Sequence, residues 1–159
     1  MLVGEQPGDE EDRQGLPFVG PAGRVLDRAL ADAGIGRDDV YVTNAVKHFK
    51  WEPRGKRRLH KTPAQAEIAA CQDWLEQEIG MVAPRVIVAL GATALRALLG
   101  RRESIAKARA ASHRHAAGAH LVATYHPSAI LRAEDDAAAR LYDLLCADLR
   151  RAKRLAEGD

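Results

Sequence analysis

An α/β sandwich on a parallel sheet is the fold class this sequence predicts, and three observations predict it. Short β-rich runs alternate with helical stripes along the whole chain. The run Val86–Leu90 is apolar at every position, as in a central parallel strand covered on both faces. The residues able to do chemistry follow the strands, at the edge where the carboxyl-end loops of such a sheet gather. We expect a three-layer αβα sandwich with a central four-stranded parallel sheet, residues 1–159 forming one domain.

Each element has its own warrant. Met1–Gly4 reads as the last part of a buried strand; it is short for one, so the natural start is expected further upstream. Glu5–Phe18 follows as a loop, with Glu10, Glu11 and Asp12 as a solvated acidic turn. Val25, Leu26, Ala29, Leu30 and Ala33 form a helical stripe from Pro21, ended by Gly34. Val40–Asn44 is a short strand. Thr62, Pro63 and Gln65 read as a helix cap, first position and third residue, and Ile68, Cys71, Leu75 and Ile79 fall on one face of that helix. A further helix follows Gly91. Arg101–Gly118 lacks periodicity and reads as loop or irregular hairpin. Leu121–Tyr125 is the last strand, and Ala137–Leu155 is an amphipathic helix with Leu141, Leu144, Leu145 and Leu149 inward.

Composition narrows the function. Hydrophobic residues make up 47% and charged residues 29% of 159, which suits a folded globular chain. No segment approaches the ~18 apolar residues of a membrane span, so no membrane partner is expected. Two cysteines make no disulfide framework, and a reducing cytoplasm is the expected compartment. Net charge is only +2, so affinity for nucleic acid must come from where the charge sits. It sits in Lys50–Lys61, where Lys50, Arg54, Lys56, Arg57, Arg58 and Lys61 face one acid, Glu52. Such a loop should project from the body and meet a phosphate backbone. His60, within it, is the side-chain type whose ordinary pKa lies nearest neutrality, and so a candidate for chemistry.

Four motifs occur in order: Gly4-Glu5-Gln6-Pro7-Gly8-Asp9, Pro17-Phe18-Val19-Gly20-Pro21-Ala22-Gly23, Val42-Thr43-Asn44-Ala45-Val46-Lys47 and His126-Pro127-Ser128-Ala129-Ile130-Leu131. Together they resemble the uracil-DNA glycosylase superfamily, its iron–sulfur branch around family 4. The Lys56–His60 run, Gln6 and His48 are similar to family X members, which become covalently attached to DNA.

The resemblance implies a pocket for a flipped-out base, because the glycosidic bond is unreachable inside a stack. Phe18 would stack on uracil, Asn44 would read its edge, and His126 would stabilise charge on the departing base. Glu5, Gln6 and Asp9 would act around the sugar, with Gly8 allowing close approach. His60 would attack the sugar in place of water, its lone pair kept free by nearby Arg57, Arg58 and Lys61, with Glu5 orienting the ring and taking its proton. Lys56, Arg57, Arg58, Lys61 and Ser128 would hold DNA, expected to be single-stranded and bound by a monomer. The family carries a four-iron, four-sulfur cluster; here Cys71 and His48 match ligand positions, so the cluster is expected to be absent or incomplete. Two alternatives stay open: a turnover glycosylase using water, and a module that grips DNA without excising the base.

Overall fold

The computed structural model describes every residue from Met1 to Asp159. Its sheet is assembled around β5 (Val86–Leu90), buried at every position. β1 (Leu2–Gly4) and β7 (His120–Thr124) pair with it in parallel on either side, and β2 (Val42–Asn44) pairs in parallel with β1. These are the four expected parallel strands. A fifth, β6 (His113–Arg114), runs antiparallel on the β7 edge, giving the order β2-β1-β5-β7-β6. It lies in the polar Arg101–Gly118 stretch, where two residues carry no periodic signal.

Alternation along the strands sends side chains into two cores. Val3, Ile87, Ala89, Leu121 and Ala123 face α3 (Gln65–Val82), α4 (Ala92–Leu99) and α5 (Ile105–Arg109). Leu2, Val42, Val86, Val88, Leu90 and Val122 face α2 (Pro21–Asp32) and α7 (Asp135–Glu157). Helices therefore cover both faces, as a buried parallel sheet requires. None of them is long and apolar enough to cross a membrane. α6 (Pro127–Arg132) follows β7 directly.

Three local expectations are corrected. The acidic segment after β1 is not a solvated turn but a short helix, α1 (Asp9–Gln14), ended by Gly15 at φ +69°. Four acids in the first turn favour the positive end of the helix dipole. α3 begins two residues later than the Thr62-Pro63 signal suggests; Glu67 Oε2 accepts from Ala64 N at 2.7 Å and does the capping instead. The basic Lys50–Lys61 segment is not an irregular loop but an antiparallel hairpin, β3 (Trp51–Arg54) and β4 (Arg57–His60), turning through Gly55 at φ +60°.

An ion pair fastens the Arg101–Gly118 stretch to the body. Buried Asp148 of α7 accepts from Arg109 Nε at 2.6 Å and Nη2 at 3.0 Å, and Arg151 donates to the carbonyls of Arg109 and Ala111. Asp148→Ala should cost about 3 kcal/mol, because the guanidinium is left without its charge partner. Asp148→Leu combined with Arg109→Met should recover most of that loss. Urea unfolding of the three proteins checks it, and a double variant no better than the single one would show that the pair is replaceable by neither packing nor charge removal.

Candidate active site

The carboxyl ends of β1, β2 and β7 deliver Glu5, Asn44 and His126 to one edge of the sheet, where an open cleft of about 770 Å³ also takes in Phe18 and His60. A volume of that order suits a small organic group. The chain can come this close because β1 ends in Gly4: a Cβ there would lie 2.5 Å from Asn44 Oδ1 and 2.6 Å from Phe18 Cζ. Phe18 itself sits at φ +53°, a strained value for a bulky residue. It is held there by Gly23 of α2, whose missing side chain leaves room for the Phe18 carbonyl.

One wall reads and stabilises a planar polar group. Phe18 is buried and its ring stacks on His126 at 5.6 Å between centroids and 30° between planes. Asn44 is 6% exposed, and its Oδ1 is a buried acceptor without any partner. Leaving such an oxygen unsatisfied costs about 1–3 kcal/mol, which a hydrogen bond from a ligand donor would offset. His126 Nδ1 accepts from Ser128 N at 3.0 Å and lies 2.8 Å from Ser128 Oγ, which in turn accepts from Arg132 Nη1 at 3.1 Å. With Nδ1 used as an acceptor, the ring proton belongs on Nε2. Burial, reinforced by Arg132 and His60 and opposed by Glu5, pushes the His126 pKa from 6.5 down to about 4. The imidazole is therefore a neutral donor at physiological pH.

The opposite wall carries charge. Glu5 Oε1 lies 2.8 Å from His60 Nε2, and Glu5 Oε2 accepts from Thr93 Oγ1 at 2.7 Å. Burial pushes the Glu5 carboxyl up, but the hydrogen bonds from His60 and Thr93 outweigh it and leave the pKa below its ordinary value. Glu5 is thus held as the carboxylate. Thr93, in the first turn of α4, carries no motif signal; only its position after Gly91 at the end of β5 brings it within reach.

The other residues singled out in the sequence divide between the cleft and its scaffold. Gln6 turns its amide to the hairpin: Nε2 donates to Lys50 O at 3.2 Å and Lys61 O at 3.1 Å, and Oε1 accepts from Lys50 N at 3.0 Å. Asp9 pairs with Arg13 and Arg58, whose hydrogen bonds, against slight desolvation, hold its pKa low. Arg58 also meets Asp12 at 2.6 Å, so it points into the body rather than outward to a phosphate. That pairing corrects two readings: Asp12 is an anchor, and the cationic field expected around His60 is largely neutralised, with Glu5 as its contact. Glu11 is an anchor too, accepting from Gly20 N at 3.0 Å. Lys61 pairs with Glu52 at 3.2 Å, whereas Lys56 and Arg57 are exposed and make no ion pair. Gly8 starts α1 and lines the cleft, and Ser128 supports His126.

The two candidate metal ligands do not complete a site. Cys71 is buried in the α3 core and its Sγ accepts from Lys47 N at 3.4 Å, while His48 is exposed. Cys146 lies in the core on the other face of the sheet, and nowhere do three or more His, Cys, Asp or Glu side chains gather as a metal site. The residues present do not fit a four-iron cluster, which takes four ligands.

The lowered His126 pKa has a consequence for stability. Between pH 6.5 and about 4 the unfolded chain binds a proton that the folded chain refuses, so this contribution is full above 6.5 and is lost as pH falls through that window. The melting temperature of His126→Gln should therefore fall less steeply than the parent's across the window. Equal slopes by calorimetry would place the acid sensitivity elsewhere.

Comparison with known proteins agrees with this geometry. The sequence model of the uracil DNA glycosylase superfamily matches residues 1–150. The chain is 41% identical to the type-4 uracil-DNA glycosylase of Thermotoga maritima over 154 residues, covering 96% of this chain and 75% of that protein. It is 44% identical to the type-4 uracil-DNA glycosylase of Pyrobaculum aerophilum over 139 residues, 83% of this chain and 67% of that one. The type-5 uracil-DNA glycosylase of Thermus thermophilus is 35% identical, over 98% of this chain and 75% of its own length. By the extent of the match and by the four motifs assembled at one sheet edge, the chain belongs to the uracil-DNA glycosylase superfamily, and it resembles the type-4 members.

Proposed function

We propose that this protein excises uracil from DNA and that His60 then bonds to the abasic sugar. The observation that carries the reading is the division of the cleft: an unsatisfied Asn44 acceptor and a neutral His126 donor on one wall, and the Glu5–His60 contact on the other. Uracil presents an N–H flanked by two carbonyls, so it can satisfy Asn44 Oδ1 while stacking on Phe18. When the bond between sugar C1′ and uracil N1 breaks, its electron pair leaves with the base. His126 Nε2–H stabilises the resulting uracil anion, and its neutrality costs nothing when that charge develops. The sugar becomes an oxocarbenium cation, and ionised Glu5 stabilises it from the far side.

One imidazole nitrogen of His60 supplies the electron pair for the new bond to C1′, and the proton on the ring passes through Glu5 to solvent. A carboxylate with a lowered pKa suits this better than proton storage does, since it stays charged while the cation lasts. Held beside Glu5, the imidazole has an effective concentration far above the roughly 55 M of water, so it captures the cation first. Each molecule then reacts once. The exposed Lys56 and Arg57 supply phosphate contacts, whereas Arg58 supports the hairpin. Single-stranded DNA is the favoured substrate in this reading, because its bases reach the cleft without unpairing, and one molecule of the protein suffices. The cytoplasm remains the proposed compartment.

His60→Ser should lose the denaturation-resistant adduct with uracil-containing oligonucleotide but keep release of free uracil, now with water as the nucleophile. Asn44→Ala should abolish release and adduct together, lowering the rate by about a hundredfold or more, while weak salt-sensitive DNA binding persists. Gel-shift after denaturation and chromatography of free base read both. An adduct that survives in His60→Ser, or a peptide attachment site outside Trp51–Lys61, rules out the covalent step; intact protein that binds uracil-containing DNA without releasing uracil rules out the glycosylase.

Thr93→Val removes one of the hydrogen bonds that keep Glu5 ionised. The adduct-forming rate should then fall several-fold and its pH profile should shift upward on the acid limb. An unchanged profile would assign Thr93 to packing alone.

A further inference from the structure

The hairpin exposes two large apolar side chains, Trp51 and Leu59, and only Trp51 is on the face of His60. Trp51 opens β3 directly opposite His60 of β4, so the two side chains share a face of the hairpin. Trp51 is 43% exposed, and its cross-strand partner His60 lines the cleft. It is not loose: the Arg58 guanidinium lies 5.5 Å from its ring centroid and 5.2 Å from that of Phe49, and Arg58 is itself fixed by Asp9 and Asp12. An aromatic plane is thus braced from within and left open outward, next to the residue that meets the reacting sugar.

The unpaired charge of the hairpin lies on its other face and at its tip. Arg54 and Arg57 are direct cross-strand partners, and like charges so placed repel. Together with Lys56 between them, they have no acidic partner in the structure, whereas Lys50, Arg58 and Lys61 of the same hairpin each have one. An anion is the natural resolution of that repulsion. With Trp51 and His60 on one face and these cations on the other face and at the tip, a single strand that stacks a base on the ring can carry its phosphates round the edge of the hairpin to the charges.

We propose that Trp51 is the stacking platform for the nucleobase next to the flipped nucleotide in single-stranded DNA, with Arg54, Lys56 and Arg57 as its phosphate contacts. The proposal rests on the reading that His60 meets the sugar of that flipped nucleotide, because the register of Trp51 with His60 then places the ring one nucleotide away. Such stacking accepts any base, so it adds affinity and holds the strand without adding sequence preference.

The test uses the two tryptophans of the chain. Trp74 lies on the exposed side of α3, remote from the cleft, and Trp74→Phe leaves Trp51 as the only indole. Fluorescence of that variant is titrated with a short single-stranded oligonucleotide whose uracil is made unexcisable by a fluorine on the sugar. Two further oligonucleotides carry a base-free tetrahydrofuran spacer immediately 5′ or 3′ of the uracil. The full oligonucleotide should quench Trp51, and one of the two spacers should abolish the quench and weaken binding about tenfold. Trp51→Ala, measured by anisotropy of a labelled strand, should lose the same factor with the full oligonucleotide and no more with that spacer, while Trp51→Phe retains most of it. Both spacers behaving like the full strand, or Trp51→Ala losing affinity equally for all three, would overturn the platform. Uracil release from the ordinary deoxyuridine strand, measured in parallel, reports separately on the glycosylase reading: release without a spacer-sensitive quench overturns the platform alone.

Discussion

The amide of Gln6 closes the base of the basic hairpin, and the position of His60 follows from that closure. Lys50 N–H and the carbonyls of Lys50 and Lys61 all meet this one side chain, while Lys61 N donates to Lys50 O. Gln6 is itself buried and lies one residue beyond Glu5. The segment that supplies the carboxylate therefore also supplies the clamp, which sets the distance between Glu5 and His60. A two-stranded hairpin has marginal stability alone. Here the amide at its base and the Asp9–Arg58–Asp12 pairing along one face replace the core it lacks. The amide carries donors and an acceptor in one plane, so it satisfies both kinds of backbone group at once.

The cleft works by keeping two titratable groups in opposite states. His126 is desolvated and loses its charge, while Glu5, only slightly farther out, keeps its own through Thr93 and His60. In the proposed reaction, a neutral donor towards the departing base and an anion towards the sugar match the charges that glycosidic cleavage separates. The arrangement needs rigid placement, and much of it comes from close backbone approach. Gly4 lets β1 pass against Asn44 and Phe18, and Gly23 accommodates the Phe18 carbonyl in its strained conformation. Side-chain bulk at either position would displace Phe18 from its place beside Asn44 on the same wall.

The region around Cys71 follows a different logic. β2 is tied to α3 through Lys47, whose ammonium meets Glu78, Thr43 Oγ1 and the Asn44 carbonyl, while Tyr41 donates to the other Glu78 oxygen at 2.5 Å. The Glu78 carboxylate raises the Tyr41 pKa to about 12, so the phenol stays a donor. This network holds the backbone that presents Asn44. It lies beside the Cys71 position that resembles a family cluster ligand, and it joins strand to helix with ordinary side-chain chemistry.

Periodicity by itself determined the parallel sheet, the helices on both faces and the strand ends at which Glu5, Asn44 and His126 appear, because burial on both faces leaves an unbroken apolar run in the sequence. The motifs named the cleft residues; strand order brings Asn44 and His126 to one edge, while Phe18 and His60 reach it through Gly4, Gly23 and the Gln6 clamp. Tertiary structure decided what each polar side chain does there. Gln6 and Arg58 read as a catalytic group and a phosphate contact, yet their partners lie 44 to 55 residues away and turn both to the scaffold. Thr93 is invisible in sequence because its role exists only where α4 meets β1. β6 and α1 escaped for a local reason: two or six residues are too few for a periodic signal, and pairing with β7 or contact with Arg58 defines them. A sequence pattern records which faces avoid water; the destination of a hydrogen bond is fixed only when the chain has closed on itself.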